Sequence, residues 1–86
     1  MGHSTIDWIA DYIEHLEERP VTPDVRPGDV RASLPERAPE APEPFTDLLD
    51  DVNSLIAPAI THWQHPGFFG YFSCNSSAPA ILGELL

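Results

Sequence analysis

Proline restricts this chain more than any other residue type. Ten prolines occur in 86 residues, and most lie between Pro20 and Pro44. Proline lacks a backbone N–H and clashes with the preceding helical turn, so neither a helix nor a central strand can run through most of that segment. A turn is expected around Pro27-Gly28-Asp29. The segment 20–44 is therefore predicted to be an extended spacer, either a disordered linker or a strap lying on another surface.

The segment of about 5–19 is predicted to be an amphipathic helix. Ser4 is its expected N-cap, and it should end before Pro20, because the residue before a proline avoids helical geometry. Apolar side chains repeat at three- and four-residue steps along it: Ile6, Ile9, Ile13 and Leu16. This stripe is either an ordinary packing face or a face that docks on a partner subunit.

The rest of the chain is predicted to form a helix, a loop and a second helix, over about 46–63, 64–75 and about 77–86. Thr46 is the expected cap of the first of these helices, and Pro58 should kink or interrupt it. Ser76 or Ser77 is the expected cap of the last helix. That helix has no closing signal at Leu86, so the sequence reads as a piece of a larger protein.

The apolar content is too small for a self-sufficient core. A chain of this size buries only about two-thirds of its unfolded surface. A second apolar stripe lies on the helix predicted over about 46–63: Leu48, Leu49, Val52, Leu55 and Ile56. Two such short stripes are too small to offset an ordering cost of about 1–2 kcal/mol of backbone entropy per residue. We therefore expect the missing surface to come from another chain or another domain.

Charge and targeting signals narrow the possible partners. The formal net charge is −10, with four arginines and no lysine, whereas nucleic-acid binding needs clustered basic residues. No signal-peptide pattern is present, and no stretch approaches the ~20 apolar residues that cross a bilayer. Cys74 is the single cysteine, so no internal disulfide can form. We expect a cytoplasmic protein with neither a nucleic acid nor a membrane as partner.

The reactive side chains do not form a recognisable catalytic or metal site. His62 and His65 have metal-ligand spacing, but Pro66 opposes a helix there and no cysteine or carboxylate cluster completes a ligand set. Structural or hydrogen-bonding histidines are the favoured interpretation. Cys74 has no visible base and no basic neighbour to form a thiolate. No catalytic, cofactor-binding or metal-ligating residue is predicted within this chain.

The loop is unusually rich in aromatic residues, namely Trp63, Phe68, Phe69, Tyr71 and Phe72. Small polar residues follow them at 73–76. Aromatic surface next to small polar groups suits a pocket wall for a ligand with an aromatic side chain and a polar head. A buried cluster that only packs the loop would have the same composition, and both interpretations stay open at this point.

An ordered series of short motifs runs through nearly the whole chain. It includes Asp11-Tyr12-Ile13, Val25-Arg26-Pro27-Gly28, Thr61-His62-Trp63, Phe68-Phe69-Gly70-Tyr71-Phe72 and Pro79-Ala80-Ile81-Leu82. The series resembles the N-terminal segment of the group II pyridoxal-phosphate-dependent amino-acid decarboxylases, of the aromatic-L-amino-acid decarboxylase type.

The resemblance implies an all-α fragment of about three helices and a Pro-rich strap. It would be the N-terminal dimerisation or flap domain, residues 1–86, of a fold-type I α/β enzyme that is an obligate homodimer. The parent enzyme would convert an aromatic L-amino acid to its amine and CO2, with pyridoxal 5'-phosphate as the electron sink. The family's Schiff-base lysine and the cofactor-binding domain would lie outside this chain. The fragment alone should bind no cofactor and be inactive.

By position, the resemblance assigns substrate contacts to five loop residues: Trp63, Tyr71, Phe72, Ser73 and Cys74. The three aromatic residues would form the wall for the substrate side chain. Ser73 and Cys74 stand where the family usually reads Pro-Thr, and a thiol would hold the substrate carboxylate more weakly than a hydroxyl. Ala78 replaces a common aromatic residue. These departures leave the identity of the aromatic substrate open.

A function of a different class is also possible. The chain could be a stand-alone acidic helical module that uses its two apolar stripes to dimerise or to bind a partner, without catalytic activity.

Overall fold

The structure is a computed structural model that describes residues 1–71 and 76–86. Helices are the regular secondary structure of those residues, and no strand occurs among them. We label the α-helices in chain order: α1 is Gly2–Glu14, α2 is Asp29–Ser33, α3 is Phe45–Asp51 and α4 is Ala78–Leu85. The predicted all-α architecture is confirmed. None of these helices has the length and apolar character that a bilayer crossing requires.

The start of α1 differs from the prediction. The helix begins at Gly2, so Ser4 lies inside its first turn and is not the N-cap. Met1 occupies the cap position without a side-chain cap bond. Thr5 donates both its backbone N–H and its hydroxyl to the carbonyl of Met1, each at 3.1 Å. These two bonds extend the helix by one turn towards the chain start, where Ser4 had been expected to stop it.

The end of α1 agrees with the restriction that proline imposes. The α-helix stops at Glu14, and a 3-10 turn over Leu16–Glu18 tightens the chain after it. Arg19 then takes extended backbone angles, with ψ at 150°. It is the residue before Pro20, and it avoids the helical region for the steric reason given above.

Within the spacer, α2 is a helix that the sequence analysis did not predict. It occupies the proline-free interval between Pro27 and Pro35, which is just long enough for five helical residues. The expected turn precedes it, with Gly28 in the left-handed region at φ 94°. The Arg26 N–H donates to the Asp29 carboxylate at 2.8 Å and closes this turn. Glycine is the residue that adopts such a φ without strain.

The second predicted helix is shorter than expected and does not reach Trp63. After α3 the backbone widens into a π-helical turn over Val52–Ile56 and then tightens into a 3-10 turn over Ala57–Ala59. Pro58 lies in the tight turn, where its missing N–H removes an α-helical hydrogen bond. Ile60 is already extended, with ψ at 156°. The extra helical turn predicted after Pro58 is therefore wrong.

Of the two predicted caps on the later helices, one forms and one does not. Thr46 does not cap α3, because the helix starts one residue earlier with Pro44 in the cap position. Ser77 does cap α4: its Oγ accepts from the Ala80 N–H at 3.3 Å. Pro79 lies in the first turn of α4, where its missing N–H costs no hydrogen bond.

The chain has almost no core of its own. Among the described residues only Leu16, Ala57 and His62 are buried, with exposed fractions of 6%, 1% and 2%. The accessible surface is 7281 Å², against about 5,000 Å² for a compact monomer of this mass. The radius of gyration is 14.7 Å, whereas a compact domain of this length has about 12 Å. The predicted core deficit is present in the structure.

We expect the isolated 86-residue chain to self-associate at micromolar concentration. Its surplus surface of roughly 2,200 Å² falls in the range that obligate interfaces bury, and Ile13 on α1 and Leu82 on α4 are each about half exposed. Sedimentation velocity tests this. The double variant Ile13→Glu, Leu82→Glu should shift the chain towards monomer, while Leu34→Glu in the spacer serves as the matched control. A wild-type chain that sediments as a compact monomer would contradict the expectation.

Candidate functional site

His62 is the buried polar side chain at the meeting point of three segments. Its Nδ1 shares a hydrogen bond of 2.6 Å with the hydroxyl of Tyr12 on α1. Its backbone N–H donates to the Val21 carbonyl in the spacer at 2.9 Å. The backbone of Ala57, after α3, also lies near the imidazole and raises its pKa by acting as a hydrogen-bonding group. His62 therefore ties α1, the spacer and the end of the second helical region to one point, which we call the His62 junction.

Tyr12 is held in the junction by contacts with Trp8 and Arg19. The Trp8 ring stacks on it with centroids 5.4 Å apart and an angle of 15° between the planes. Trp8 also reaches across to Asn53, donating its indole N–H to the amide oxygen at 3.4 Å. The Arg19 guanidinium carbon lies 5.3 Å from the centroid of the Tyr12 ring, in cation–π range. These contacts connect α1 to the π-helical turn.

The electrostatics of the junction keep its two titratable side chains neutral. Burial lowers the pKa of His62 below its ordinary 6.5, and Arg19 and His65 act in the same direction, against the Ala57 hydrogen bond. Burial raises the pKa of the Tyr12 hydroxyl, which Arg19 opposes. An uncharged Tyr12–His62 pair is the form that a buried hydrogen bond needs, because a buried charge without a partner is costly.

We expect the junction to weaken as the pH falls below about 6.5. A histidine with a lowered folded pKa stabilises the fold above its unfolded pKa of 6.5, and this contribution is lost as the pH falls through its lower folded value. His15 acts in the opposite sense, since hydrogen bonding and the charge of Asp11 raise its pKa. Trp8 fluorescence in a Trp63→Phe chain should therefore change on acidification.

Two variants distinguish the contribution of His62 to the acid transition from that of His15. His62→Gln should flatten the acid transition, whereas His15→Gln should leave it in place. A transition that survives in His62→Gln would assign it to another group.

The backbone after His62 folds into successive turns. The His65 N–H donates to the His62 carbonyl at 3.0 Å, and the Phe68 N–H donates to the His65 carbonyl at 2.9 Å. The Gly67 N–H donates to His65 Nδ1 at 2.8 Å, so this nitrogen carries no proton. His62 and His65 thus act as hydrogen-bonding residues, the favoured interpretation from the sequence. Across residues 1–71 and 76–86, no group of three histidine, cysteine or acidic side chains could hold a metal ion.

These turns present an aromatic stack at the surface. Trp63 stacks with Phe68, with centroids 5.9 Å apart and planes 9° apart. It also stacks with Tyr71, at 6.1 Å and 24°. We call Trp63, Phe68 and Tyr71 the aromatic wall. Half of Trp63 and 87% of Tyr71 are exposed, and the adjacent Phe69 is 93% exposed, so this chain does not bury the cluster.

The structure brings together two of the five predicted substrate contacts and does not describe the other three. Trp63 and Tyr71 lie in the aromatic wall. Phe72, Ser73 and Cys74 lie outside the described residues, so their assignment stays a prediction. Phe68 was not among the predicted contacts, although its place in the motif was known. Tyr71 has a φ of 53°, an uncommon value for a bulky residue.

A separate cleft of about 450 Å³ lies beside the junction, where the apolar stripe of α1 meets the loop and α4. Its walls include Ile9 and Ile13 from α1, Pro66 from the loop and Ile81 from α4. A smaller apolar groove of about 140 Å³ continues between α1 and α4. Trp63 and Tyr71, the two predicted substrate contacts that the structure describes, line neither space, so the cleft and the aromatic wall are different surfaces.

Comparison with known proteins adds independent information. Residues 27–86 match the family model described as the pyridoxal-dependent decarboxylase conserved domain. The chain is 47% identical to an aromatic-L-amino-acid decarboxylase of Rattus norvegicus, a match that covers 99% of this chain and 18% of the relative. It is 49% identical to a phenylacetaldehyde synthase of Petunia hybrida, covering 99% of this chain and 17% of that protein.

Solved structures agree with the sequence matches. Oryza sativa TDC with PLP and tryptamine superposes with a TM-score of 0.91 at 37% identity, over 96% of this chain and 17% of that one. Rhodiola rosea 4-hydroxyphenylacetaldehyde synthase gives a TM-score of 0.92 at 44% identity, over 98% of this chain and 18% of that one. The chain thus spans less than a fifth of the length of these relatives.

Proposed function

Because this chain belongs to the pyridoxal-dependent decarboxylase family, we propose that it is the N-terminal segment of an enzyme that converts an aromatic L-amino acid to its amine and CO2. Its role there is to supply part of the substrate pocket and part of a homodimer interface. The observation that carries the pocket role is the exposed aromatic wall, in which Trp63 stacks with both Phe68 and Tyr71.

The aromatic wall suits the side chain of such a substrate. Aromatic rings attract one another in offset-stacked or edge-to-face arrangements, which are worth about 0.5–1.5 kcal/mol beyond the area they bury. Trp63 is prearranged by its two ring contacts, so little side-chain freedom is lost when a substrate ring lies against it. In this proposal Phe72 extends the wall, while Ser73 and Cys74 hold the substrate carboxylate.

The cofactor of the family is pyridoxal 5'-phosphate, and the rice structure contains it. The residues of this chain do not fit the task of holding it, because the chain has no lysine to form a Schiff base. We therefore propose that the cofactor binds to residues outside these 86 and that the chain alone is inactive.

The interface role follows from surface that the chain leaves uncovered. The accessible area of the chain is 7281 Å², and an apolar groove lies open between α1 and α4. A second copy of the chain or the remainder of the enzyme would cover this surface. The His62 junction would hold α1 and the spacer in one arrangement, so that this surface is presented as a unit. The net charge of −10 opposes a nucleic-acid partner, and a cytoplasmic location stays a prediction.

The test is an activity assay of the full-length protein that contains this segment, with tryptophan, dopa, tyrosine and phenylalanine as substrates. We expect an amine and CO2 from at least one of them. Release of an aldehyde in place of the amine would align the enzyme with the Petunia and Rhodiola synthases. No turnover of any aromatic amino acid would contradict the proposal. The 86-residue chain, mixed with pyridoxal 5'-phosphate after its N-terminus is blocked, should show no stoichiometric aldimine absorbance.

A further inference from the structure

The Phe68 ring lies directly against the backbone of Gly70. A Cβ atom added at Gly70 would be 3.1 Å from Phe68 Cζ and 3.4 Å from its Cε2. Such a distance is shorter than ordinary van der Waals contact, so one of the two groups would have to move. Gly70 itself is not in the left-handed backbone region, so among the described residues the strain on an alanine there would come from the Phe68 ring.

The backbone of Phe68 is fixed more firmly than its ring. The Phe68 N–H donates to the His65 carbonyl at 2.9 Å, and His65 is tied to the His62 junction by its own N–H. The group that yields to a larger residue 70 is therefore the Phe68 side chain. That ring is the one whose plane lies within 9° of the Trp63 plane.

Trp63 is thus coupled to residue 70 by two routes. Phe68 links Gly70 to Trp63 by direct ring contact. Tyr71, the residue that follows Gly70, stacks with Trp63 as well, at 6.1 Å. Because the Phe68 ring stacks on Trp63, we expect a displacement of a few tenths of an ångström in the Phe68 ring to shift the indole plane.

We propose that the contact between Gly70 and Phe68 sets the selectivity of the enzyme among aromatic substrates. Phe68 is a positioning residue that fixes the plane of Trp63, and the size of residue 70 fixes the place of Phe68. The inference rests on the proposed function, in which Trp63 faces the substrate side chain. A bicyclic indole has fewer alternative positions against a shifted wall than a single ring has, so tryptophan is affected more than phenylalanine.

The experiment compares kcat/KM for tryptophan and phenylalanine in the full-length enzyme and its variants. Gly70→Ala should lower the ratio of the two values by about threefold or more, mainly through KM, a modest share of the 10–200-fold range that pocket contacts reach. Gly83→Ala is the matched control, because a Cβ there meets no atom within 4 Å. It should leave the ratio unchanged.

A double-mutant cycle tests whether Phe68 is the mediator. In a Phe68→Leu background the smaller side chain leaves room for a methyl group, so adding Gly70→Ala should change the selectivity little further. An unchanged ratio in Gly70→Ala, or the same shift with leucine at position 68, would overturn the proposal. Absence of aromatic turnover in the wild type would instead overturn the proposed function.

Discussion

Replacing His62 with leucine is expected to destabilise the packing of α1 at the His62 junction by about 2–3 kcal/mol. Leucine has a similar size, but it cannot hydrogen-bond to the Tyr12 hydroxyl, which lies 2.6 Å from His62 Nδ1. Leaving a buried polar group unpaired costs about 1–3 kcal/mol. Hydrogen exchange of the full-length protein measures this, as a loss of protection in α1 of about 30- to 150-fold.

Tyr12→Phe is the matched control, and combining it with His62→Leu completes a double-mutant cycle. It removes only the hydroxyl and keeps the ring that stacks on Trp8 and faces Arg19. Alone it should cost about 1 kcal/mol. The double variant His62→Leu, Tyr12→Phe should be more stable than His62→Leu alone, because replacing both partners of a buried hydrogen bond leaves neither group unsatisfied. Additive losses would show that the two side chains are not coupled.

The helices could be predicted from the sequence because their signals are local. Periodic apolar residues marked α1, and the steric effect of Pro20 marked the end of its helical turns. The caps were less predictable: Ser4 and Thr46 have capping side chains, yet each helix starts earlier, at Gly2 and Phe45. A capping residue offers one hydrogen bond of about 1 kcal/mol, which one added helical turn can outweigh. Local preference therefore did not decide these boundaries.

Sequence patterns do not predict where the second helical region changes from α-helix to a π-helical turn and then to a 3-10 turn. Pro58 predicted an interruption, but not that a π-helical turn over Val52–Ile56 would precede it. The wide turn places Asn53 within reach of Trp8, a tertiary contact with no local signature. The short α2 was not predicted, because the many prolines of the spacer indicated an extended segment and the proline-free interval between Pro27 and Pro35 was not considered separately.

The two parts of the candidate site also differ in whether their contacts are local or long-range in sequence. The aromatic wall is contained in nine residues, 63–71, and composition was enough to predict an aromatic cluster there, but not whether the cluster is exposed or buried. The His62 junction joins Tyr12 and His62, which are 50 positions apart in the chain, and no spacing rule connects such residues. The core deficit was predictable because it depends on composition and length alone. Long-range polar contacts were the feature that required the structure.

Trp63→Ala should cause the largest loss of activity, a fall in kcat/KM for aromatic substrates of about ten- to two-hundred-fold. The change removes the central ring of the aromatic wall, which contacts both Phe68 and Tyr71. Trp63→Phe keeps a ring in the stack and should lose less. Steady-state kinetics of the full-length enzyme measure the effect, and the absorbance of the bound cofactor should not change, since this chain supplies no lysine to it.

Trp8→Ala is the control for Trp63→Ala, because it removes a tryptophan side chain that lies outside the aromatic wall. Trp8 stacks on Tyr12 and donates to Asn53, so its loss should lower stability without changing the preference among aromatic substrates. A selective kinetic effect of Trp63→Ala with no such effect of Trp8→Ala places the substrate ring against the wall. If Trp63→Ala instead dissociates the dimer while each remaining dimer keeps wild-type kinetics, then Trp63 packs a subunit interface. In that case the exposed half of its side chain would be covered by protein and not by substrate.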